Sequence, residues 1–579
     1  MAGMGDARYA LGLDYGTNSV RALVVRCDDG EEVAEAVFDY PSGRQGVILD
    51  PRDPHLARQH PGDYIDGFYE TVRAALADAS RRDDFSPGQV VGIGVDTTGS
   101  TPIPVGSDGV PLALEERFGE DPHAQAWLWK DHTGWAEADE ITALARERGE
   151  PYLAKCGGVY SSEWFWSKIL HCKRVAPEVY DAAFTWVELA DFVPAWITGN
   201  QAPERIVRSV CAAGHKALYH REWGGLPSKE FLAALDPELA DLRDRLYDTA
   251  EPSSAPAGEL APDVAERAGL PAGIPVAVGA FDAHHGAVGA GVAPGTLVKI
   301  LGTSTCDITV WPMDGRDTSL ADIPGVCGIV PGSVMPADLG IEAGQSAVGD
   351  IFAWMAEQAS SAEYHGPDAH ERLTADAQRL APGASGLLAL DWHNGNRTIL
   401  INPRLSGLIV GQSLHTTPPE TYRAYIEATA FGGRAIIERL EEYGVKIETL
   451  VHCGGIAERN PFVNQLYADV LRRRILISRS SQTCALGAAL FGAVVAGVFD
   501  DVASAQDAMT GQRDEVFEPD PDAADTYDEL YALYRVLHDA FGGVPAERST
   551  ASPTALASVM PRLADIRDEV RARPDQDAS

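Results

Sequence analysis

A chain of 579 residues is too long to fold around one ordinary core, so at least two large domains are expected. Its formal net charge of −38 disfavours nucleic acid and anionic membranes as partners, because both would be repelled over most of the surface. A hydrophobic content of 45% and 57 glycines are typical of a globular chain with many tight turns and exclude a largely disordered one.

Two sequence features indicate the cellular compartment of the protein. The eight cysteines are scattered without paired C-x-x-C spacing, and we interpret them as buried free thiols. The first residues, MAGMGDARYA, lack an apolar signal-peptide core, and no stretch approaches the ~18 apolar residues of a membrane span. These features predict a cytoplasmic protein.

A β-hairpin is predicted at 11–25, LGLDYGTNSVRALVV, and a second one at 298–311, VKILGTSTCDITVW. Each has an apolar strand, a Gly-Thr-polar turn and an alternating second strand. Aligning the two turns pairs Gly16 with Gly302. The recurrence indicates two copies of one domain plan.

Strand-like and helix-like segments alternate after each hairpin, which is typical of an α/β fold. Strands are predicted at 90–96, 274–282 and 449–455. The segment 421–444 is a predicted amphipathic helix. The segment 484–499 is apolar nearly all round and predicts a buried helix whose start lies near a ligand.

A domain junction is expected between 258 and 295, where a Pro- and Gly-rich stretch leads into a strand. We therefore predict an N-terminal domain at 8–285 and a C-terminal domain at 286–500, with the active site in the cleft between them. The remainder is predicted to be a helical extension at 501–545 and a peripheral or disordered tail at 546–579.

Asp14 lies in the turn region of the first hairpin, where a strand delivers a carboxylate beside turn amides. Such an acid can hold hydrated Mg²⁺, while the backbone of Gly16, Thr17 and Asn18 approaches phosphate oxygens. An Asx-turn is the alternative for Asp14, but the paired hairpins favour the metal site. The second hairpin has Ile300 at the position that matches Asp14, which suggests that the two hairpins have different roles. Its turn is assigned to the remaining phosphates through Gly302, Thr303 and Ser304.

Asp282 ends a run of small apolar residues and begins a predicted helix. An N-cap is one interpretation. The other is a catalytic base, since a carboxylate with an ordinary pKa of about 3.9 is ionised at neutral pH and can accept a hydroxyl proton. His284 and His285 are interpreted as structural or as residues that support neighbouring site residues, because no other histidine or cysteine spacing completes a metal site.

Further polar residues are candidates for sugar hydroxyls or for the nucleotide. For Lys130 and Asp131 the alternative is a surface ion pair, and for Glu342 a charge at a helix start. Gly454 and Gly455 follow a strand and would let the backbone lie against a purine. The remaining sugar-side candidates are Thr98, Gly99, Trp129 and Lys216, and Gln345 is placed with the nucleotide.

Together these residues resemble the FGGY carbohydrate kinases, and within them the ribulokinase group, over roughly residues 8 to 500. Glycerol kinases and xylulokinases are less similar at WKDHT, GHKALYH and EAGQSAVGDIFAW. The motifs that carry the resemblance are GLDYGTNSVRALVV, GIGVDTTGSTP, LWKDHT, YSSEWFWSKILH, GHKALYH, GGLP, GAFDAHHGAVGAG, VKILGTSTCDI, EAGQSAVGDIFAW, GGIAERN and CALGAA.

The resemblance implies an α/β fold of two actin-like, RNase H-like domains of the ASKHA superfamily closing over ATP and a sugar. Asp282 corresponds to the catalytic base and Asp14 to the magnesium-side acid. Lys216, Glu342 and Gly99 correspond to positions at which ribulokinases contact the sugar. The nucleotide motifs include Gly302, Thr303, Gly454, Gly455 and Asn460.

The implied activity is ATP- and Mg²⁺-dependent phosphorylation of L-ribulose to L-ribulose 5-phosphate in L-arabinose breakdown, with D-ribulose or ribitol as further substrates. A xylulokinase or another pentulose or pentitol kinase is the nearer alternative. A nucleotide-gated structural protein related to actin or Hsp70 is the remote one. The expected partners are a ketopentose and ATP, with no nucleic acid, no membrane and a possible homodimer.

Overall fold

The computed structural model describes residues 7–313, 320 and 322–573. The chain divides into two compact units. Unit one comprises Met1–Pro294, Ile308–Ile341 and Gln482–Gly511, and unit two comprises Gly295–Asp307, Glu342–Ser481 and Gln512–Ser579.

The strands, in chain order, are β1 (Tyr9–Tyr15), β2 (Ser19–Arg26), β3 (Glu32–Asp39), β4 (Ile48–Asp50), β5 (Asp53–Gln59), β6 (Val90–Thr97), β7 (Pro102–Val105), β8 (Ala126–Trp127), β9 (Thr185–Glu188), β10 (Pro256–Glu259), β11 (Pro275–Ala277), β12 (Ala280–Phe281), β13 (Thr296–Leu301), β14 (Thr305–Pro312), β15 (Gly328–Pro331), β16 (Asp338–Ala343), β17 (Leu388–Leu390), β18 (Leu408–Val410), β19 (Thr449–Cys453), β20 (Ile475–Ser478) and β21 (Gln512–Phe517).

The α-helices, in the same order, are α1 (Pro61–Ala79), α2 (Trp135–Arg148), α3 (Phe165–Val175), α4 (Pro177–Ala182), α5 (Leu189–Ile197), α6 (Val210–Lys216), α7 (Lys229–Leu235), α8 (Pro237–Arg243), α9 (Pro262–Ala268), α10 (Asp282–Gly289), α11 (Gly349–Trp354), α12 (Ala369–Gln378), α13 (Pro418–Glu442), α14 (Gly455–Arg459), α15 (Pro461–Leu471), α16 (Thr483–Val495), α17 (Val502–Met509), α18 (Pro521–Phe541) and α19 (Pro553–Arg571). Among the described residues, no helix has the length and apolar character that a membrane crossing requires.

The main sheet of unit one has the order β10-β11-β6-β1-β2-β3, with β12 also paired to β6. The predicted hairpin is confirmed as antiparallel β1 and β2, and β6 runs parallel to β1. β12 is parallel to β6 as well. The carboxyl ends of these three parallel strands therefore lie at the same edge of the sheet.

Helix α16 packs closely against this sheet, which confirms the buried helix predicted at 484–499. A Cβ at Gly12 of β1 would stand 1.8 Å from the Ala485 carbonyl oxygen, and one at Gly94 of β6 would stand 1.8 Å from that of Ala488. Glycine is thus required where the helix backbone meets the strands. The small residues of α16 serve this packing.

Unit two repeats the plan of hairpin and parallel neighbour. Strands β13 and β14 are neighbours in the second sheet and form the second predicted hairpin, whose β14 passes from unit two into unit one after Asp307. The sheet continues through β19 and β20, both parallel, to antiparallel β21. The amphipathic helix predicted at 421–444 is confirmed as α13.

Two helices end the described chain in unit two. Helix α18 lies in the segment predicted as a helical extension and buries Tyr527, Leu530 and Tyr534 along one face. Helix α19 also buries Leu563 and Ile566. Residues 553–571 of the segment predicted as a tail are therefore helical.

All eight cysteines are free thiols, as predicted. Cys306 and Cys484 are partly exposed, and the other six are buried.

Candidate active site

Three acids lie at the carboxyl ends of three neighbouring parallel strands of unit one. Asp14 of β1 is in register with Asp96 of β6. Ala280 of β12 is in register with the same Asp96, and Asp282 follows two residues later as the first residue of α10. The ends of adjacent parallel strands are a favoured place for ligands in α/β folds. Of the three acids, the sequence pattern had indicated Asp14 and Asp282 but not Asp96.

Asp96 is fully buried, and within the described part of the chain neither of its carboxylate oxygens accepts a bond from a donor. Burial raises the pKa of Asp96 well above its ordinary range, and the nearby charges of Asp14 and Asp282 raise it further. Burial also raises the pKa of Asp14. The positive charge of Arg21, whose Nη1 lies 3.4 Å from the Asp14 Oδ2, acts to lower this pKa. Adjacent carboxyl groups with few donors must share a proton or hold a cation.

Asp282 begins α10 one residue after the N-cap, which is Phe281. The interpretation of Asp282 as the N-cap is therefore wrong by one position, although its Oδ1 accepts a hydrogen bond from the Ala283 amide at 2.7 Å. An acid in the first helical turn is favoured by the helix dipole. The Phe281 ring lies against Gly99, where a Cβ would come within 1.8 Å of the ring. The backbone at Gly99 thus comes very close to the residue that precedes Asp282.

The first Gly-Thr turn is held by side chains from elsewhere in unit one. The Trp129 indole donates to the Thr17 hydroxyl at 3.0 Å. The Gln59 amide donates to the Thr17 carbonyl at 2.8 Å, and the Asn18 amide donates to the Gln45 carbonyl at 2.6 Å. Trp129, predicted to contact sugar, therefore orients a residue of the predicted phosphate turn.

Lys216 ends α6 and is 5% exposed. Its ammonium lies over the rings of Trp164 and Phe281, at 5.4 and 5.6 Å from their centroids. The Tyr160 hydroxyl donates to the Lys216 carbonyl at 2.6 Å and fixes the end of the helix. Because Phe281 precedes Asp282, the structure brings this predicted sugar-side lysine to the strand end that carries Asp282.

The second Gly-Thr turn is anchored within unit two. The amide of Gly349, at the start of α11, donates to the Gly302 carbonyl at 3.0 Å, and the Asp350 amide donates to the Thr303 carbonyl at 3.1 Å. The Gly302 amide donates to the Ser304 carbonyl at 3.0 Å. These bonds fix the carbonyls of the turn.

The other predicted nucleotide residues also lie in unit two. Gly454 has φ of 89°, and a Cβ there would come within 2.7 Å of the Leu301 carbonyl oxygen, so glycine is required. Gly455 begins α14. Asn460 caps α15, where its side chain accepts from the Val463 amide at 3.3 Å.

Gln345 is buried and its side chain is engaged in the interior of unit two. Its Oε1 accepts from Lys299 at 3.1 Å, and its Nε2 donates to Asp391 at 2.7 Å. Lys299 in turn pairs with buried Asp307 at 2.7 Å. Glu342, on β16 of the same unit, is 8% exposed.

Comparison with known proteins gives the family. Residues 9–289 match the N-terminal domain and residues 297–496 the C-terminal domain of the FGGY family of carbohydrate kinases. The chain belongs to the FGGY family of carbohydrate kinases. Members of this family use ATP with a divalent metal. The membership excludes the structural-protein alternative.

Curated relatives cover nearly the whole of this FGGY kinase. A protein named ribulokinase from Vibrio parahaemolyticus is 42% identical over 549 residues, covering 92% of this chain and 95% of the relative. A ribulokinase from Mycolicibacterium smegmatis is 42% identical over 554 residues, covering 93% and 95%. One from Geobacillus thermodenitrificans is 41% identical over 551 residues, covering 92% and 95%.

Solved structures support the predicted fold class. A gluconate kinase from Lactobacillus acidophilus matches with a TM-score of 0.75 at 19% identity, covering 94% of this chain and all of that one. A xylulose kinase from Rhodospirillum rubrum matches with a TM-score of 0.72 at 24% identity, covering 92% and 100%. This FGGY kinase thus has the two-domain, actin-like α/β fold predicted from its sequence.

The loop after β6 in this FGGY kinase rests on a buried pair that sequence reasoning missed. Glu188 accepts from the Ser100 hydroxyl and from the Thr101 amide, the latter at 2.7 Å. The Lys168 ammonium donates to the Ser100 carbonyl at 2.8 Å. Burial raises the pKa of Glu188 to about 7 and lowers that of Lys168 to about 7. Thr98 is buried in the same loop and shares a hydrogen bond with the Thr101 hydroxyl.

Asp131 is fully buried and pairs with Arg58, which is also fully buried. It accepts further bonds from the Ala57 amide at 2.7 Å and the Thr133 hydroxyl at 2.6 Å. The alternative of a surface ion pair with Lys130 is therefore wrong. Arg58 and Asp131 are 73 positions apart, so only the fold could reveal the pairing.

Two residues with potential metal-ligand atoms lie close to His284 in the fold. Cys211, His215 and His284 are buried in unit one, and their potential ligand atoms all lie within 4.8 Å of one another. His284 was expected to be structural because no spacing in the sequence completes a metal site. The partners lie on α6, far earlier in the chain, and the fold brings them together. The Nε2 atom of the neighbouring His285 lies 3.1 Å from the Ser253 hydroxyl, in hydrogen-bond contact, and its structural role stays a prediction.

Proposed function

We propose that this FGGY kinase transfers the γ-phosphoryl group of ATP to the terminal hydroxyl of L-ribulose, giving L-ribulose 5-phosphate in L-arabinose breakdown. The observation that carries the proposal is the group of three acids at the ends of β1, β6 and β12, with Lys216 beside the strand end of Asp282. The choice of a pentulose is supported by the relatives named ribulokinase, two of which are 42% identical over nearly the whole chain.

In this proposal Asp282 is the base for the sugar hydroxyl. The hydroxyl oxygen attacks the γ-phosphorus, the bond to the β–γ bridging oxygen breaks, and the hydroxyl proton passes to the Asp282 carboxylate. Because the transition state of phosphoryl transfer is loose, Asp282 mainly aligns the nucleophile and receives the proton late. Most of the acceleration comes from positioning and from charge compensation.

Asp14 is the proposed ligand for Mg²⁺, with Asp96 as a second carboxylate. The fit rests on the buried Asp96 oxygens, which lack a donor among the described residues, and on the preference of Mg²⁺ for carboxylate oxygen. A divalent cation there supplies compensation for negative charge on the phosphates. Trp129 and Gln59 contribute by holding Thr17, so that the turn next to Asp14 keeps one conformation.

The remaining residues are proposed to bind the two substrates. Lys216, Glu342 and Gly99 contact the sugar, with Thr98, Trp129, Lys130 and Asp131 around them. The phosphates face the backbone of the two Gly-Thr turns, and Gln345 supports the second turn at Thr305, whose hydroxyl accepts from the Gln345 backbone amide at 3.0 Å. The convergence of Asp282 with both turns stays a prediction. The nucleotide set is Gly16, Thr17, Asn18, Gly302, Thr303, Ser304, Gly454, Gly455 and Asn460.

We also propose the domain division at 8–285, 286–500, 501–545 and 546–579, a cytoplasmic location and a possible homodimer. These proposals rest on the sequence patterns and on the family.

The test is a coupled assay of ADP release with ATP, Mg²⁺ and a panel of L-ribulose, D-ribulose, D-xylulose and ribitol. The proposal expects the highest kcat/KM with L-ribulose. A higher value with D-xylulose would instead support the xylulokinase alternative. ADP release that is slow and independent of every sugar would contradict the proposed function as a whole. ³¹P NMR of the product checks that the phosphate is on the terminal carbon.

A further inference from the structure

Three side chains capable of binding a transition metal meet in the interior of unit one. Cys211 and His215 are four residues apart on α6, so they lie on the same face of that helix. His284 comes from the first turn of α10. Each offers one ligand atom, and the three atoms are all within 4.8 Å of one another.

The donor set has a defined chemical preference. One thiolate and two imidazoles are ligands for Zn²⁺ and similar borderline cations, whereas Mg²⁺ prefers oxygen. In a tetrahedral zinc site with bonds of about 2.0–2.3 Å, neighbouring ligand atoms are roughly 3.3–3.7 Å apart. Side-chain rotations that move each ligand atom about 1 Å toward their common centre would therefore place them at three of the four ligand positions of a tetrahedral site.

The surroundings of the cluster restrain one of its ligands. The Nε2 atom of His215 is 3.0 Å from the Ser333 hydroxyl, an outer hydrogen bond of the kind that orients metal-binding imidazoles. The rings of His215 and His284 have centroids 4.4 Å apart. All three residues are buried, so the site is shielded from bulk water.

Ordinary core packing is the competing explanation. Cys211 belongs to a small apolar cluster with Ala280 and Phe281, and contact between two imidazole rings is common in protein interiors. Packing explains each residue separately. It does not require that the potential ligand atoms of a thiol and two imidazoles, from two different helices, lie close together.

We propose that Cys211, His215 and His284 bind one Zn²⁺-class divalent cation, separate from the cation that accompanies ATP. Binding releases the thiol proton from the protein, and a single buried water molecule occupies the fourth position. Since His284 is two residues after Asp282 and His215 directly precedes Lys216, the cation ties the first turn of α10 to the end of α6.

The experiment uses the full chain without a polyhistidine tag, stripped with a chelator and titrated with Zn²⁺ and, separately, with Co²⁺. One equivalent of tightly bound Zn²⁺ is expected, unaffected by millimolar Mg²⁺. The Co²⁺ form should show the thiolate-to-cobalt charge-transfer band and the intense visible bands of a tetrahedral site. Cys211→Ser and His284→Gln should each weaken Zn²⁺ binding by at least ~100-fold and remove the charge-transfer band or change the visible bands.

Matched controls come from the same unit. Cys172→Ser changes another buried thiol, and His285→Gln changes the neighbouring buried imidazole. Both should bind Zn²⁺ as the wild type does. Stoichiometric binding that survives Cys211→Ser unchanged, or less than a tenth of an equivalent in the wild type, would overturn the proposal.

A second measurement does not depend on whether the variants fold. X-ray absorption of the zinc-loaded wild type should show one sulfur and two imidazole ligands around zinc. A shell of oxygen and nitrogen without sulfur would overturn the proposal. Neither readout involves sugar phosphorylation, so the outcome is independent of the proposed kinase substrate.

Discussion

The two hairpin regions of the molecule share one backbone plan but differ at the position where parallel strands meet. In unit one, the register pair between β1 and β6 is Asp14 with Asp96. In unit two, the corresponding pair between β13 and β19 is Ile300 with Cys453. The same architecture therefore presents acids in one unit and apolar groups in the other. In the proposed function, the metal and the proton transfer accordingly belong to unit one, and the turn of unit two contributes backbone contacts.

Each unit also buries a lysine and a carboxylate, in different ways. In unit two, Lys299 and Asp307 are in direct contact at 2.7 Å. In unit one, Lys168 and Glu188 both hold the loop after β6 through Ser100. Lys299 and Asp307 neutralise each other's charge inside a sheet. Lys168 and Glu188 instead support a loop that follows the strand carrying Asp96.

The largest expected effect comes from removing the proposed base. Asp282→Asn should lower kcat by about 10³-fold, because general base catalysis typically contributes 10²–10⁴-fold. Steady-state turnover with the preferred ketopentose measures it. ATP binding by calorimetry and the circular dichroism spectrum should match the wild type. Turnover close to that of the wild type would remove Asp282 from the base role.

Breaking the buried pair of unit two should affect stability more than chemistry. Lys299→Met leaves Asp307 buried without its cation, which typically costs about 3–5 kcal/mol of unfolding free energy. Urea unfolding of the variant measures the loss. The double variant Lys299→Met, Asp307→Leu should recover most of it, because the unpaired charge is gone. A loss below ~1 kcal/mol in the single variant would show that the pair is not needed.

Asp96→Asn tests whether the acid that pairs with Asp14 belongs to the metal site. The concentration of Mg²⁺ that gives half-maximal activity should rise about 10–100-fold, because a neutral amide is a poorer ligand. Asp39→Asn, an exposed aspartate of the same sheet, is the matched control and should leave the metal dependence unchanged. An unaltered Mg²⁺ requirement in Asp96→Asn would limit the metal site to Asp14.

Glu188 makes the stability of unit one depend on pH. Burial raises its pKa to about 7, whereas an unfolded glutamate has a pKa of about 4.3. The folded protein therefore retains a proton that the unfolded chain loses, and the stability from this group, present below pH ~4.3, is lost as pH rises through about 7. Burial lowers the pKa of Lys168 to about 7, while the charge of Glu188 acts to raise it, so removing Glu188 lowers the pKa of Lys168 further and adds to the same trend.

The stability of the wild type relative to Glu188→Gln should consequently fall by about 2 kcal/mol between pH 5 and pH 7. Urea unfolding of both proteins at the two pH values measures this difference. Glu147→Gln, an exposed glutamate, should show no such trend. A relative stability that rises with pH would mean that Glu188 is held ionised in the folded protein.

The smallest effect is expected from giving unit two the acid of unit one. Ile300→Asp adds a carboxylate beside the turn proposed to face phosphate, so the KM for ATP should rise about tenfold, equivalent to roughly 1.4 kcal/mol. The kcat should change little. Ile300→Asn, with nearly the same shape as the aspartate but no charge, should have a near-normal KM. An unchanged KM in Ile300→Asp would place the phosphates away from this turn.

Features that depend on a short stretch of the chain could be predicted from the sequence. Both hairpins, the buried helix α16 and the acids Asp14 and Asp282 were predicted, because strand alternation, Gly-Thr turns and a strand-end acid are readable in a short window. The pairing of Asp96 with Asp14 was not predicted, because it depends on which strands run parallel and in what register.

Other features also required the three-dimensional fold. The Cys211 and His284 side chains are distant in sequence, and no spacing rule joins them. A surface ion pair was the alternative interpretation of Asp131, yet this residue is buried against Arg58. Helix α19 lies in a segment rich in Ser, Pro and Ala, and its buried face becomes evident only beside the rest of unit two.

In the proposed function, the three acids at the strand ends of unit one hold the metal and the attacking hydroxyl. A crystal structure with L-ribulose, a nonreactive ATP analogue and Mn²⁺, with anomalous scattering recorded for manganese, tests it most directly. We expect the manganese peak at Asp14 and Asp96, bound directly or through one water, and the terminal hydroxyl within hydrogen-bond distance of Asp282. A metal and a hydroxyl that both lie away from these acids would contradict it.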